Sequence, residues 1–571
     1  MFNLARIRIL ILVSGLVLSF SPLLVSADTL GQEVSFNIDS SYDSQGRKEV
    51  TAVLQKVTGQ LYFYVDKEWW QGSSYSKRQS LEVAFHSLAT EFERKIYPVL
   101  TSAFGSEPKP GIDEDERITL LIHPMSPDVG GYSNSGDLYS NLQNPKSNQR
   151  EMVYLNSQHI EGSDAKVFLT HEFTHLITAN QKDLLRGVVE ETWLNEARAE
   201  YSATLLGYDD IYKGSNLERR VKDFLSKPTV SLTEWLNKKE DYGAVKLFVH
   251  YLVDHYKVKI LTDSLQSDKV GIESINSALA ENNYDKDFRQ VFIDWAITLL
   301  VNNCDLGDKY CYLNDHLKNF RITPTIYYLP KVETILSTYH NSTYWALNWH
   351  RLIGGGSNLV LEFEGSSSVG FEVPYLLCDL ENDCSVEFFT LGEDRKGKIS
   401  ILDFSSKYSS LTIIPFISSK VSGFDGAERS FSFSWRVIVE DKTEAEKEAE
   451  LIRQLLIQIE QLKRQIAEYQ ARINAALGNS DSSCQRFDND LYFGMAGSGQ
   501  VSCLQEFLKS QGSDIYPEGL VTGNFLSLTE QAVIRFQEKY ASEILAPSGL
   551  EKGTGYVGQA TRNKINSLIS Q

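Results

Sequence analysis

Apolar and polar positions along the 571-residue chain fall into four successive patterns. Over residues 28–335 the pattern is mixed. The runs RITLLIHPM (117–125) and REMVYLNS (150–157) are short and apolar, which predicts two buried strands. Between them, DVGGYSNSGDLYSNLQNPKSNQ is polar and glycine-rich, which predicts a loop. Further on, apolar residues three and four apart predict long helices over residues 164–180, 188–207, 241–256 and 287–303. Strands first and helices later imply an α+β domain.

Over residues 336–441 the period changes to two. NLVLEFEG and FSFSWRVIVED alternate, and Phe431, Phe433, Trp435, Val437 and Val439 share one face. With glycine-rich breaks between the runs, this predicts a small all-β sandwich domain. Residues 442–477 are helical and charged. Ile452, Leu455, Ile459, Leu462, Ile466, Tyr469, Ile473 and Ala476 form a heptad seam with isoleucine at a and mostly leucine at d, a choice that favours parallel dimers. The seam implies a homodimer through a coiled coil; the alternative is a helical spacer that packs on its own neighbours. Residues 478–571 form a tail with three helical stretches, GQVSCLQEFLKSQG, SLTEQAVIRFQEKYA and VGQATRNKINSLIS, and Ser527 with Glu530 predicts a capping box before the second.

The amino terminus changes the picture. Arg6 and Arg8, an apolar stretch over residues 9–25 and small residues before Asp28 read as a secretory signal peptide over residues 1–27, with a retained anchor as the alternative. Six cysteines fall as three local pairs, 304/311, 378/384 and 484/503, without a CxxC pattern. Disulfides in an oxidising compartment are the expectation, each contributing about 2–3 kcal/mol by loop entropy, with six reduced, buried thiols as the alternative. The formal net charge is −19, so nucleic acid is not an expected partner.

The chemistry centres on LTHEFTHLITANQKDLLRGVVEETWLNEARAEY, which begins at Leu169. Residues four apart on a helix are offset by about 40°, so His171 and His175 project side by side and can share one ion. Zinc takes neutral imidazole well. Glu172 lies about 100° round, where it reaches a water on the metal without binding the metal, as a general base requires. A catalytic zinc needs a third protein ligand and one open position. Glu196 is the candidate, and spacing alone leaves Glu190, Glu191 and Glu200 open. Glu200 shares a face with Glu196 and suits a supporting role to a ligand imidazole. The remaining histidines are scattered and read as surface or core residues.

HEFTH followed by WLNEARAEY resembles the gluzincin metallopeptidases, and within them the hyicolysin-like secreted enzymes. The resemblance covers residues 112–302 and implies a zincin-like fold, one catalytic Zn2+ held by His171, His175 and Glu196, and support from Asn195 and Glu200. Thermolysin-type enzymes carry aspartate at the position of Glu200. DYGAVKLFVHYL resembles the helix start that carries a catalytic tyrosine in gluzincin aminopeptidases, which implies Tyr242 as oxyanion donor, with helix-start packing as its alternative role and Tyr201 as the fallback. GGYSNSGD (130–137) is similar to the substrate-side edge region of these folds. Residues 484–568 resemble the peptidoglycan-binding-like three-helix domain of bacterial wall enzymes.

Together these readings imply a multidomain, exported zinc endopeptidase acting on protein or peptide substrates and tethered to the cell envelope by its tail. The alternatives are an inactive wall-binding or adhesion protein, and a peptidase acting on peptidoglycan cross-bridges.

Overall fold

The computed structural model describes residues 27–424, 426–440, 444–476 and 484–570. Residues 1–26 of the expected signal peptide lie outside them. The chain divides into two units, Met1–Asp441 and Lys442–Gln571. It is a multidomain arrangement of helices with mixed and antiparallel sheets.

The first unit opens on strands β1 (Glu33–Asn37), β2 (Glu49–Val57) and β3 (Leu61–Asp66), then helices α1 (Lys67–Gly72), α2 (Tyr75–Glu91) and α3 (Tyr97–Phe104). Strands β4 (Ile118–His123), β5 (Gly131–Ser133) and β6 (Met152–Asn156) complete a six-stranded sheet in the order β1-β2-β3-β4-β6-β5. β4 runs parallel to both β3 and β6, and every residue of β4 and β6 is buried, as short continuous apolar runs predict. β5 lies antiparallel to β6 at the sheet edge, inside the stretch expected to be loop. Its Gly131 is required: a Cβ there would sit 2.6 Å from the Tyr154 carbonyl oxygen and 3.1 Å from Glu172 Cγ.

Below the sheet run α4 (Ala165–Ala179), α5 (Thr192–Leu205), α6 (Asn216–Ser226), α7 (Lys239–Tyr256), α8 (Lys259–Leu265), α9 (Gly271–Glu281) and α10 (Phe288–Val301). α4 continues into a wide π turn over Asn180–Leu184. One large apolar core joins the sheet's lower face to these helices, and Phe173, Trp193 and Leu247 are almost wholly inside it.

The expected alternation holds in the final strand (Phe431–Glu440), whereas in NLVLEFEG (Asn358–Gly365) the first four residues are all buried, because both faces of that strand are covered. Strands β7 (Thr325–Leu329), β8 (Thr334–Ser342), β9 (His350–Gly354), β10 (Asn358–Gly365), β11 (Phe371–Glu372), β12 (Pro374–Asp379), β13 (Cys384–Phe388) and β14 (Lys396–Leu402) are followed by β15 (Tyr408–Ile413), β16 (Phe416–Ile417) and β17 (Phe431–Glu440). They form a four-stranded sheet, β14-β10-β17-β8, and a five-stranded sheet, β13-β12-β15-β9-β7, around one apolar core, with a small β11-β16 pair. Phe431, Phe433, Trp435, Val437 and Val439 are all buried, and their neighbours on β17 face outward. This region packs directly on the helices before it: Trp345 stacks edge-on against Phe292, and Gly423 donates its N–H to Glu191.

His340 on β8 and His350 on β9 bring their rings to 4.2 Å across the two sheets. His350 is buried against Phe433 and Trp435, its Nδ1 faces the Tyr327 hydroxyl at 3.3 Å, and its Nε2 has no partner. Burial, with His340 adding, pushes the His350 imidazole down to about 3. The unfolded chain takes up a proton near pH 6.5 that the folded chain refuses. Stability is therefore lost as pH falls from about 6.5 toward 3, by up to about 1.4 kcal/mol per pH unit for this ring, and is unaffected by it above that window. Thermal midpoints between pH 7 and 4 should fall, and His350→Phe should flatten the fall.

All six cysteines pair as expected, 304 with 311, 378 with 384 and 484 with 503. Three disulfides are consistent with an exported chain. No helix of the described residues is long and apolar enough to cross a membrane.

The short α11 (Phe404–Lys407) precedes β15 in the first unit; in the second, α12 (Glu444–Ala476) runs through the predicted heptad stretch. Ile452, Leu455, Ile459, Leu462, Ile466 and Tyr469 are all exposed, so along these positions the seam is not covered by the helix's own chain. The tail holds α13 (Gly499–Ser510), α14 (Ser527–Lys539), α15 (Ala541–Ile544) and α16 (Gln559–Ile569) around its own core. The capping box is not formed: α14 starts one residue early, Leu526 occupies the cap position, and Ser527 is already inside the helix.

Two glutamines staple this domain in the same way. Gln505 accepts the N–H groups of Thr522 and Gly523 and donates to the Asn524 carbonyl and the Thr529 hydroxyl. Gln537 does the same with Thr554, Gly555, Tyr556 and Thr561, each 32 positions further on. The tail is thus an internal repeat, which shows in hydrogen bonding before it shows in residue identity. Gln537→Ala strands buried donors and acceptors and should cost about 2–4 kcal/mol. Hydrogen exchange at the Thr554 and Gly555 amides, measured in the full chain, should accelerate accordingly.

Candidate metal centre

α4 is apolar on the face toward the sheet, and its polar line turns outward. His171 and His175 stand one turn apart on that line, with ring centroids 4.8 Å apart and nearly perpendicular planes. After the π turn and a bend at Gly187 the chain returns as α5, which carries Asn195, Glu196 and Glu200. The Glu196 carboxylate lies between the two imidazoles, with Oε2 3.1 Å from His171 Nε2 and Oε1 3.6 Å from His175 Nε2. Ligand atoms about 2.0–2.1 Å from one tetrahedral centre sit about 3.3–3.4 Å apart, so these separations suit three ligands of a single ion.

The partners on the far side of each ring sharpen this. His175 Nδ1 donates to Asn195 Oδ1 at 2.9 Å, which assigns the proton to Nδ1 and leaves Nε2 as a bare lone pair. His171 Nδ1 lies 3.7 Å from Glu200. His171 Nε2 lies within hydrogen-bond distance of Glu196 Oε2, a contact that a cation shared by the three groups would replace. The donor set fits zinc: two imidazoles, one carboxylate, and acceptors behind the rings. His171, His175 and Glu196 form a group of this kind with all ligand atoms within 4.8 Å of one another.

The competing acids are engaged elsewhere. Glu190 pairs with Arg198 at 2.7 Å, Glu191 accepts from the Trp193 indole and from Gly423, and Glu200 pairs with Arg220 at 2.5 Å and accepts from Asn216. Burial opposes charge on Glu200, but Arg220 outweighs it and holds the carboxyl well below the usual range. Burial likewise opposes Glu196, and the two histidines override it.

Glu172 is buried, opens into the cleft and makes no hydrogen bond to another described residue. Burial pushes its carboxyl up to about 8, with Glu196 and Glu200 adding and His175 opposing. A cation among the ligands acts in the opposite direction. Such a group is poised to exchange a proton near neutrality.

The cleft above these residues has a volume of about 270 Å³. β5 forms one wall and Tyr242 another. Tyr242 stands at the start of α7, where Asp241 accepts the N–H groups of Leu236 and Lys238 and fixes the helix entry. Its ring lies under the Arg220 guanidinium at 4.4 Å, and its hydroxyl donates to Asn237. Burial, with Glu196 and Glu200 adding, raises its pKa far above that of a free tyrosine, so it remains a donor. Tyr201, the fallback, turns instead against His250 and does not line the cleft.

Sequence reasoning missed Tyr42 and Arg220. Tyr42 lines the cleft from the loop after β1 and stacks on Tyr132 of β5 at 4.8 Å. Arg220 links Glu200 to Tyr242 from α6. Neither belongs to a local motif, so no spacing pattern marks them.

No protein-family model matches the chain, and no curated protein matches it. Among solved structures it is similar to the Aeromonas hydrophila periplasmic inhibitor of g-type lysozyme, at 9% identity over 21% of this chain and 100% of that one, with a TM-score of 0.15. It is also similar to the Yersinia pseudotuberculosis-derived mitogen, at 10% identity over 20% and 94% with a TM-score of 0.14. A third likeness is to the pre-peptidase C-terminal domain of a Bacillus anthracis collagenase, at 5% identity over 20% and 96%, also with a TM-score of 0.14. Scores this low carry no argument about fold or function.

Proposed function

We propose that the protein is a zinc-dependent endopeptidase of gluzincin type. The observation that carries this is the meeting of the His171 and His175 imidazoles with the Glu196 carboxylate, beside an unbonded Glu172. Zinc held there would supply a Lewis acid for the scissile carbonyl and acidify a water toward about pH 7. Glu172 takes a proton from the attacking water and returns it to the leaving amine. The Tyr242 hydroxyl, on turning from Asn237, would donate toward the developing oxyanion, with its ring held by the Arg220 guanidinium. β5, the last strand of its sheet, offers backbone groups to an extended peptide. The zincin-like assignment rests on this site together with the sheet whose edge strand runs antiparallel above the histidine helix.

The second unit suits attachment rather than catalysis. Its tail resembles wall-binding domains, and the exposed isoleucine–leucine seam of α12 suits a parallel homodimer. Sedimentation should give a dimer that Leu455→Asn with Leu462→Asn converts to monomer.

The test is metal content and chelation. Purified protein should hold one zinc per chain, and casein degradation should stop with a chelator and return with zinc. A protein that binds wall sacculi yet holds no metal and cleaves nothing would be an adhesin instead. Release of cross-bridge peptides from sacculi, without action on casein, would make peptidoglycan the substrate.

A further inference from the structure

Residues 171, 175, 179 and 183 all line the cleft. In an unbroken α-helix each step of four drifts by about 40°, so three steps would carry position 183 about 120° away from His171. The chain widens instead into the π turn at Asn180–Leu184, and Asp183 stays on the cleft wall. Turns of this kind gather at functional sites.

The Asp183 side chain is half-buried and makes neither a hydrogen bond nor an ion pair with another described residue. The cations beside it in sequence are committed elsewhere. Lys182 donates to the carbonyls of Ser264 and Ser267, and Arg186 donates to those of Gln181 and Gln266. The other acids of the cleft are committed too, apart from Glu172: Glu190 is paired with Arg198, and Glu196 faces the two histidines. Among the described residues, no lysine or arginine lines the cleft. A half-buried carboxylate without a partner is costly unless a ligand supplies one. Burial, with Glu190 adding, pushes it up to about 6, so it is still largely ionised at pH 7.

We infer that Asp183 is the specificity-determining residue of the cleft, selecting substrates that place a primary ammonium or guanidinium group against it. This rests on the peptidase reading and names its substrate class: peptides with a lysine or arginine side chain, or a free amino terminus, at that subsite. The net charge of −19 adds long-range attraction for the same substrates.

The test uses the full zinc-loaded chain and a set of peptides with one lysine at successive positions, each matched to its norleucine counterpart, with free and acetylated amino termini. At one position lysine should raise kcat/KM about tenfold over norleucine, and Asp183→Asn should bring that ratio close to one. A gain that survives acetylation identifies a side chain; a gain confined to the free terminus identifies the α-amino group. Binding gives an independent reading: in Glu172→Gln protein, fluorescence anisotropy should show the same tenfold preference in Kd, abolished by adding Asp183→Asn and inverted toward glutamate peptides by Asp183→Lys. Chelator-sensitive cleavage with no charge preference at any position would overturn the inference and leave the peptidase reading standing. Failure to bind or cleave any peptide would remove both.

Discussion

Glu172→Gln should lower turnover by about 10²–10⁴-fold on any substrate the protein cleaves, while bound zinc stays at one per chain. Glutamine keeps the volume and loses only the ability to carry a proton. The wild-type carboxyl makes no hydrogen bond that the change would break. Its effect on stability has a definite sign. In the metal-free protein, with its pKa raised to about 8, the folded chain keeps a proton that the unfolded chain releases near pH 4.5, so this group's contribution falls as pH rises between the two. Glutamine escapes that loss, and the chelator-treated variant should melt at the same temperature as chelator-treated wild type or higher at pH 8. Plasma emission for metal, calorimetry for melting and casein turnover together check the assignment. Metal lost along with activity would mean that Glu172 holds the site together instead of moving protons.

Arg198→Leu should lower the melting midpoint of the first unit by about 5–10 °C, corresponding to a loss of about 3–5 kcal/mol. Arg198 is fully buried on α5, two residues after Glu196, and binds Glu190 at 2.7 Å and Ser264 at 2.9 Å. Leucine fills the space but leaves the Glu190 carboxylate with only Lys182, at 3.8 Å, as a counter-charge. Glu190 also accepts the Gly271 N–H at the start of α9, so the loss loosens α5 from α8 and α9 together. Zinc affinity should weaken with it, because Glu196 rides on the same helix. Glu190→Gln with Arg198→Leu should recover much of the stability, since removing both charges leaves neither stranded.

What was legible in the sequence is what is local. His171, Glu172 and His175 follow from spacing on one helix. Cys304 with Cys311 and Cys378 with Cys384 are close along the chain, and β17 carries an unbroken alternation from Phe431 to Val439. β2 also alternates, burying Val50, Ala52 and Leu54, but lysine and glutamine in its second half weaken the signal. β5 is three residues long and is held by backbone pairing to β6, which has no side-chain signature. Tyr42 reaches the cleft by stacking on a residue 90 positions away, and Arg220 reaches Glu200 from another helix. Such contacts come from tertiary packing and leave no periodic trace. The Ser527 cap failed by a single residue, the scale on which helix ends are set by their surroundings.

The π turn at Asn180–Leu184 is a helix carrying one residue too many. Deleting one residue there restores the ordinary winding and swings Asp183 by about a quarter turn, while everything upstream keeps its place. A residue lost there would shift the register of α5 as well, so the same extra residue that aims Asp183 also keeps Glu196 in step with His171 and His175.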